Sequence, residues 1–271
     1  MSGIGPWGEG VWLADCLEAM RQMPDACIDL VEADPPYAIS EYGSIHVRMP
    51  GRGRRKLDFF PGDADWKQTI DGLVIPAVKE TIRLLKPKGS AYWWCSHRQI
   101  GPIVDTLEAV GFSTRLWGWK KAAPAPPPPH SGWGSALEVA VYAYKPGRTW
   151  NDPPMPCANV VVADSFRHGQ PGKVDHPTQK PEAVIEPHIL ASSNPGDLVL
   201  DCFAGSGTTG VVCIRTGRRF VGFEVSPEYH AIATQRLEEA RQDARDAAEA
   251  ARTGLSLRDY RAGQMSLWGN A

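Results

Sequence analysis

The sequence predicts an α/β protein with one mostly parallel sheet and helices on both of its faces. Two observations support this fold class: apolar runs of strand length alternate with segments of helical spacing, and a glycine-rich turn directly follows one of the strands. The chain has 271 residues, a length that favours one large domain with insertions over two full domains. Right-handed crossovers between successive strands would generate such a sheet.

The amino-terminal half provides the first strands and helices. Residues 11–15 are a short apolar run, 16–23 have helical spacing, and 28–33 are continuously apolar, which predicts strand, helix and strand. The other elements predicted here are helices at 65–85 and 99–110 and strands at 91–95, 113–120 and 137–144. Five prolines among the eight residues 122–129 predict a stiff, polyproline-like loop.

The pattern continues near the carboxyl terminus. A helix follows Pro181, strands are predicted at 198–203 and 219–224, and the segment 208–215 between them is helical. Ser226 and Pro227 are a favourable helix start, so a final helix extends to about residue 252, before Gly254.

Two segments lack periodicity and are predicted to lie outside the sheet. The first, 38–64, is a basic loop with no acidic residue between positions 48 and 56. Its basic residues are Arg48, Arg52, Arg54, Arg55 and Lys56. The second, 146–175, is rich in Pro, Asn and Gly and contains Arg167. Both are candidate insertions in the domain.

Composition excludes several classes of protein. With 29 Lys and Arg against 31 Asp and Glu, the chain is not a uniformly basic nucleic-acid binder, although a local basic surface is compatible with that balance. No apolar run approaches the roughly 20 residues of a membrane span, and the first residues do not resemble a signal peptide. The six cysteines form no Cys-x-x-Cys pair, so we expect a cytoplasmic protein with reduced thiols and no metal.

A glycine-rich turn is the first candidate for a binding site. The segment from Gly205 to Gly210 follows a predicted strand and begins a helix, and Glu224 ends the next strand, 19 residues after Gly205. Glycines allow close approach of a ligand, and the acid can accept hydrogen bonds from both ribose hydroxyls. The pattern favours a nucleoside-containing cofactor over a purely structural turn. A nicotinamide enzyme would normally carry this unit earlier in the chain.

A second motif, Asp34-Pro35-Pro36-Tyr37, follows the buried strand 28–33. Asp34 supplies an acceptor, the prolines stiffen the backbone, and Tyr37 offers a flat face, a set that suits a planar group bearing an exocyclic amine. The alternative is a proline-rich turn with a packing tyrosine.

Together these segments resemble the DNA amino-methyltransferases that use S-adenosylmethionine. The tetrapeptide at 34–37, the turn Phe203-Ala204-Gly205-Ser206-Gly207 and the segment from His176 to Pro181 all match, in the order of the permuted beta group. The resemblance covers residues 11–240. It implies a Rossmann-like methyltransferase domain at 1–254, circularly permuted in motif order, followed by a flexible tail at 255–271.

The resemblance also implies roles for individual residues. Asp34 and the carbonyl of Pro35 would accept hydrogen bonds from the target amine, with Pro36 completing the motif and Tyr37 stacking on a flipped base. The residues implied in cofactor binding are Asp15, Thr178, Lys180, Asp201, Phe203, Gly205, Gly207, Thr208 and Glu224. Among these, Asp15 would lie near the adenine, Glu224 would hold the ribose, and Thr178 and Lys180 would close over the methionine end. Ala38 departs from the Asn common in relatives.

The implied reaction is direct displacement of a methyl group by a base amine, without a covalent enzyme intermediate. Asp at the first motif position favours the N6 amine of adenine, with cytosine N4 as the alternative. Methylation of RNA or of protein glutamine is a further alternative, although those enzymes more often have Asn first. A nicotinamide oxidoreductase and a binding module without turnover also stay open at this stage.

Partners follow from the same resemblance. Double-stranded DNA would contact the basic loop, and Arg167 in the second insertion would also contact the DNA. Residues Gln264 to Trp268 resemble the peptide with which bacterial proteins dock on the sliding clamp; the alternative is that they fold back onto their own domain. We expect a monomer or a homodimer, and a restriction partner is an open question.

Overall fold

The computed structural model covers most of the chain. It describes backbone and side chains of residues 4–37, 67–123, 133–152, 158–166, 172–176 and 178–260, and the backbone alone of 45–49, 53–57 and 66.

The described residues contain ten strands and seven α-helices, besides a short helical stretch at 257–260. The strands are β1 (Gly10–Leu13), β2 (Ile28–Ala33), β3 (Ile45–Met49), β4 (Gly53–Leu57), β5 (Leu85–Cys95), β6 (Ser113–Lys121), β7 (Leu137–Tyr144), β8 (Val160–Ala163), β9 (Leu198–Asp201) and β10 (Arg219–Glu224). The helices are α1 (Cys16–Arg21), α2 (Trp66–Thr69), α3 (Ile75–Leu84), α4 (Ile100–Glu108), α5 (Glu182–Ser192), α6 (Thr208–Arg215) and α7 (Pro227–Thr253).

Eight of the strands form the main sheet, in the order β1-β10-β9-β2-β5-β7-β6-β8. Strand β7 pairs antiparallel with β5 and β6, and the other pairs are parallel, so seven strands share one direction. The two strands nearest the carboxyl terminus, β9 and β10, lie between β1 and β2. The glycine turn after β9 and the tetrapeptide after β2 therefore lie side by side at one edge of the sheet, although they are far apart in the chain. A permuted motif order requires this arrangement.

Alternation along the strands divides the core into two layers. Trp93 of β5 packs with α1, α3 and α4 on one face, and its neighbour Trp94 packs with α5, α6 and α7 on the other. Both indoles are fully buried, and Trp119 of β6 is 3% exposed, so these three tryptophans are core residues. Helices thus cover both faces of the mostly parallel sheet, and the predicted fold class is confirmed.

Local signals explain where the helices begin and end. Asp15 caps α1 by accepting hydrogen bonds from the amides of Leu17 and Glu18, and Ser226 caps α7. Helix α7 ends at Gly254, whose φ of +72° lies in the left-handed region that glycine adopts without strain. The predicted helix at 65–85 contains a π-helical turn, Ile70–Val74, which ends two residues before Pro76; proline lacks the amide needed for regular helical bonding.

The described strands of 38–64 lie outside the main sheet, as predicted, but two other predictions about the insertions were wrong. The segment 146–175 does belong in part to the sheet, because β8 is its edge strand and pairs with β6. The apolar run that forms β8 has only four residues, Val160–Ala163, and lies in a segment rich in proline and asparagine, so it is too short to predict a strand. The basic loop 38–64 contains the hairpin of β3 and β4, a separate two-stranded sheet. Strand β5 also begins at Leu85 and not at Ala91, with an irregular register between β2 and β5.

Candidate active site

The predicted site residues converge at one edge of the sheet. Asp15 follows β1, Glu224 ends β10, the glycine turn follows β9, and Asp34 follows β2. These four strands are consecutive neighbours in the sheet and run parallel. Their carboxyl ends therefore meet, at the edge where open α/β sheets bind ligands.

The glycine turn has a backbone that other residues could not adopt without strain. Gly205 and Gly207 have φ values of +50° and +78°. A Cβ atom at Gly205 would lie 3.1 Å from Nε2 of His176, and one at Gly207 would lie 3.0 Å from the side chains of Ala233 and Leu237. The turn thus combines positive φ with close approach of neighbouring side chains, and it presents backbone amides at the start of α6.

Glu224 is tied to this turn. Its Oε2 accepts a hydrogen bond from the amide of Gly205 at 2.9 Å, and its Oε1 accepts one from the amide of Ser226 at 2.7 Å. Each carboxylate oxygen has two acceptor positions, so the half-buried group can still accept further donors. The arrangement is suited to a diol beside the turn.

Asp201, the last residue of β9, stabilises the glycine turn through buried hydrogen bonds. Its oxygens accept hydrogen bonds from the amide of Phe203 at 3.0 Å and the hydroxyl of Thr209 at 2.7 Å, and the residue is 5% exposed. Burial raises the pKa of Asp201 to about 7, although both hydrogen bonds oppose this shift. Its carboxylate acts within the protein as a support of the turn, and the predicted cofactor contact stays a prediction.

The tetrapeptide is held by a residue that the sequence did not single out. Gln99 is fully buried, and its Nε2 donates to the carbonyl oxygen of Pro36 at 2.8 Å. Its Oε1 accepts from the amide of Ser96 at 2.8 Å, which fixes the orientation of the side chain. Together with the ring constraints of two prolines, these bonds make the backbone after β2 rigid.

Lys180 lies against the tetrapeptide. Its ammonium is 2.6 Å from Oδ2 of Asp34 and 3.1 Å from the hydroxyl of Tyr37, and the side chain is 7% exposed. Its carbonyl accepts from the hydroxyl of Thr208 at 3.1 Å, so it also connects to the glycine turn. The sequence assigned Lys180 to the methionine end of the cofactor, whereas the structure brings its ammonium to Asp34. Thr178 is exposed.

A second carboxylate, Glu138 of β7, completes the cluster and was not anticipated. Its Oε2 lies 3.3 Å from the ammonium of Lys180 and 3.4 Å from the hydroxyl of Tyr37, and its Oε1 lies 2.8 Å from Nζ of Lys121. A signal was present in the sequence, because Glu138 is the one acid in the apolar run 137–144. We call Asp34, Tyr37, Lys121, Glu138 and Lys180 the charged cluster.

Burial and mutual attraction set the protonation of this cluster. Burial raises the pKa of Asp34, and the ammonium of Lys180 partly offsets that shift. Burial would raise the pKa of Glu138 as well, but Lys180 and Lys121 outweigh it and lower the pKa. Burial disfavours a charged Lys180, yet attraction to Asp34 and Glu138 prevails and raises its pKa. In the charged cluster, the positive charge of Lys180 is therefore stabilised by Asp34 and Glu138.

Trp94 is fully buried and packs against the ammonium of Lys180. The ammonium of Lys180 lies 4.6 Å from the centre of its ring, and its Nε1 donates to Oε1 of Glu32 at 2.6 Å. The other oxygen of Glu32 is 2.9 Å from Nδ1 of His188. These buried contacts hold the indole in place behind Lys180.

The predicted DNA-binding residues are described only in part. On the hairpin, Arg48 is in register with Arg54, and Lys56 with His46. Arg55 is in register with Val47. Arg52, Arg167 and the segment 264–268 lie outside the described residues.

The order of the sheet, its one reversed strand and the glycine turn beside an acid define a Rossmann-like enzyme fold built for a nucleoside-containing ligand. The tetrapeptide, the predicted amine site, follows the neighbouring strand β2. Residues 28–235 match the DNA methylase family of N6 and N4 methyltransferases, and the chain belongs to this family. The resemblance predicted from the three motifs is thereby confirmed.

Individual relatives agree with this membership. The chain is 31% identical to DNA adenine methyltransferase YhdJ of Escherichia coli (strain K12), over 83% of this chain and 81% of that protein. It is 33% identical to the type II methyltransferase M2.DpnII of Streptococcus pneumoniae, over 83% of this chain and 88% of that protein.

Solved structures have the same fold. The M1.HpyAVI–SAM complex superposes with a TM-score of 0.64 at 28% identity, over 84% of this chain and 98% of that chain. The PvuII DNA methyltransferase, described as cytosine-N4-specific, superposes with a TM-score of 0.64 at 21% identity, over 89% of this chain and 92% of that chain. The second likeness concerns the fold alone.

Within the described residues, none of the helices has the length and apolar character needed to cross a membrane.

Proposed function

We propose that this protein transfers a methyl group from S-adenosylmethionine to the exocyclic N6 amine of adenine in double-stranded DNA. The observation that carries the proposal is the position of Asp34, at the carboxyl end of β2 and beside the turn that Glu224 holds. An amine acceptor and a nucleoside site thus share one sheet edge. A relative named as a DNA adenine methyltransferase supports adenine as the base.

The residues at the edge suit the cofactor. Glu224 offers a half-buried carboxylate to ribose hydroxyls, and Gly205 and Gly207 leave the backbone accessible where a Cβ would crowd the turn. S-adenosylmethionine supplies a sulfonium methyl group that an amine can attack. Asp15, next to β1, would lie on the adenine side of such a ligand.

The tetrapeptide would orient and activate the target amine. Asp34 and the carbonyl of Pro35 accept its two hydrogens, which draws the nitrogen out of conjugation with the ring and frees its lone pair. Gln99 fixes the adjacent Pro36 carbonyl, so these acceptors are pre-organised. The ring of Tyr37 offers a stacking face that offsets part of the cost of flipping the base out of the duplex.

Direct displacement also agrees with the chemistry of the nearest thiols. Burial raises the pKa of Cys95, at the end of β5, to about 12. Burial raises the pKa of Cys202, beside the glycine turn, well above its usual value. A thiol that stays protonated at neutral pH is a poor nucleophile, so neither is suited to covalent catalysis.

DNA would contact the hairpin of β3 and β4. Arg48 and Arg54 occupy directly opposed positions of this antiparallel pair, an arrangement that is unfavourable unless an anion lies nearby. Phosphates of the DNA backbone are suited to that position. Arg52, Arg55, Lys56 and Arg167 belong to the same proposed surface on the basis of sequence.

Other assignments rest on sequence alone. We infer that Gln264 to Trp268 dock on the sliding clamp, and that the protein acts as a monomer or a homodimer. A DNA substrate also implies a cytoplasmic location. Removing residues 264–271 should abolish recovery of the clamp in a pull-down, and equal recovery with both forms would contradict that role.

Product analysis tests the proposed function. The purified protein is incubated with radiolabelled S-adenosylmethionine in three separate reactions, which contain duplex DNA, RNA or protein extract. The labelled nucleosides are identified by mass spectrometry. We expect N6-methyldeoxyadenosine from DNA, and no label when Asp34→Ala replaces the native protein. N4-methylcytosine, or label confined to RNA or protein, would overturn the assignment. Single-molecule sequencing of DNA from expressing cells then maps the site.

A further inference from the structure

The ammonium of Lys180 lies beside the carboxylate to which a target base would present its amine. This ammonium is 2.6 Å from Oδ2 of Asp34, the oxygen group proposed to accept from that amine. It is almost fully buried and lies over the ring of Trp94. A base that reaches Asp34 must therefore come within hydrogen-bonding reach of this cation.

The ammonium can release one of its present partners. Its three hydrogens are directed to Asp34, to the hydroxyl of Tyr37 at 3.1 Å and to Oε2 of Glu138 at 3.3 Å. The hydroxyl of Tyr37 has a second partner, because it lies 3.4 Å from the same oxygen of Glu138. Lys180 can thus exchange its bond to Tyr37 for one to a ligand without leaving a buried group unpaired.

An acceptor beside a donor is complementary to one edge of adenine. The N6 amine is a donor, and the adjacent ring nitrogen N1 is an acceptor; flipped bases are recognised mainly along this Watson–Crick edge. Asp34 supplies the acceptor and Lys180 the donor, in contact with each other. Guanine and thymine present an oxygen and an N–H on this edge and would reverse the pattern, whereas cytosine, with its N4 amine beside N3, presents the same pattern as adenine.

Glu138 and Lys121 would keep the donor in position. One oxygen of Glu138 lies 3.3 Å from the ammonium of Lys180, and the other is bound to Lys121 at 2.8 Å. Lys121 is a neighbour of Glu138 across the β6–β7 pair, since Trp119 is in register with Glu138 and Lys120 with Leu137. The rigid sheet thereby limits the positions that the ammonium can take.

We propose that Lys180 binds the target adenine by donating a hydrogen bond to its N1 while Asp34 accepts from N6, with Glu138 as the positioning residue of Lys180, and that this pair excludes guanine and thymine from the site. This inference rests on the proposed function. It adds a contact to the substrate that is distinct from the acceptors of the amine. Lys180 is a substrate-binding residue under this proposal, and Lys121 acts only through Glu138.

Deaza substrates test the contact directly. Duplexes that carry the mapped site contain adenine, 1-deazaadenine or 7-deazaadenine at the target position, and kcat/KM is measured with the native protein and with Lys180→Met. For the native protein, we expect 1-deazaadenine to lower kcat/KM about 10- to 100-fold, as for loss of a hydrogen bond to a charged donor, and 7-deazaadenine to lower it less than about 3-fold. With Lys180→Met, the penalty for 1-deazaadenine should fall below about 3-fold.

Controls separate this contact from a structural role. Calorimetric affinity for S-adenosylmethionine reports whether Lys180→Met keeps its folded cofactor site, and Lys180→Gln, which retains a donor, should recover part of the discrimination. Lys121→Met should preserve the ratio between the two deaza substrates. The proposal would be overturned if 1-deazaadenine lowered kcat/KM as much in Lys180→Met as in the native protein. It would also be overturned if 7-deazaadenine lowered kcat/KM of the native protein as much as 1-deazaadenine does. Failure to methylate the unmodified duplex would instead refute the proposed function.

Discussion

The carboxylate of Glu224 lies 2.9 Å from the amide of Gly205 and joins the end of β10 to the turn that follows β9. The two residues are 19 positions apart in the chain and are brought together because β9 and β10 are neighbouring parallel strands. A carboxylate held in this way can accept ribose hydroxyls without a change in its own conformation. Under the proposed function, the same carboxylate would both hold the turn and bind the cofactor.

Replacing Glu224 should weaken cofactor binding. Glu224→Ala removes the acceptor for the ribose hydroxyls and also leaves the Gly205 amide without this partner, so we expect Kd for S-adenosylmethionine to rise about 10- to 100-fold. Isothermal titration calorimetry measures the change. Glu224→Gln keeps one acceptor and should give an intermediate value. An unchanged Kd in the alanine variant would remove Glu224 from the cofactor site.

Asp34 should affect chemistry more than cofactor affinity. Asp34→Ala removes the acceptor of the target amine, and we expect kcat to fall at least about 100-fold while Kd for S-adenosylmethionine changes less than about 3-fold. Asp34→Asn retains an acceptor oxygen and serves as the matched variant, with partial activity. Methyl transfer at the native rate by Asp34→Ala would show that another group holds the amine.

The sequence was sufficient for the parts of the site that follow strands. Continuous apolar runs ending in Asp34-Pro35-Pro36 and in the turn at Gly205 fix both the strands and the edge at which they end. The link between Lys180 and Glu138 could not be obtained in this way. It depends on the order of strands in the sheet and on the path of the segment before α5, which spacing along the chain does not determine.

Short elements were missed for a related reason. Strand β8 has four residues and is stabilised by its pairing with β6, together with the bond from the side-chain amide of Asn159 to the carbonyl of Leu116 at 3.0 Å. Tertiary contacts of this kind override weak local preference. Gln99 likewise looked like an ordinary helix start, and only the fold brings it to Pro36.

The pKa of Asp201 predicts a pH dependence of stability. Because burial raises its pKa from 3.8 to about 7, the folded state retains a proton that the unfolded state releases, so stability falls as pH rises between those values. Asp201→Asn removes this titration. Its free energy of unfolding relative to the native protein should increase from pH 5 to pH 8, by on the order of 2–4 kcal/mol.

Urea unfolding across that range measures the difference. Asn can accept from the amide of Phe203 and donate to the hydroxyl of Thr209, so both hydrogen bonds of the turn can be kept. The pKa of His176 is lowered to about 4, mainly by burial, and its titration has the opposite effect on stability. It is present in both proteins and cancels in the comparison. Parallel pH curves for the two proteins would contradict an elevated pKa at Asp201.

Charge reversal on the hairpin tests the DNA surface. The double variant Arg54→Glu and Arg55→Glu should weaken DNA binding. It should also reduce the slope of the logarithm of the association constant against the logarithm of salt concentration by about 1 to 2, because fewer counterions are released on binding when phosphate contacts are lost. Fluorescence anisotropy with labelled duplex at several salt concentrations gives both quantities. Arg252→Glu with Arg258→Glu makes the same change in net charge at exposed positions near the end of α7 and serves as the control. If both double variants reduce affinity and slope equally, net charge and not the hairpin would account for the effect; if neither does, the hairpin makes no contact with DNA.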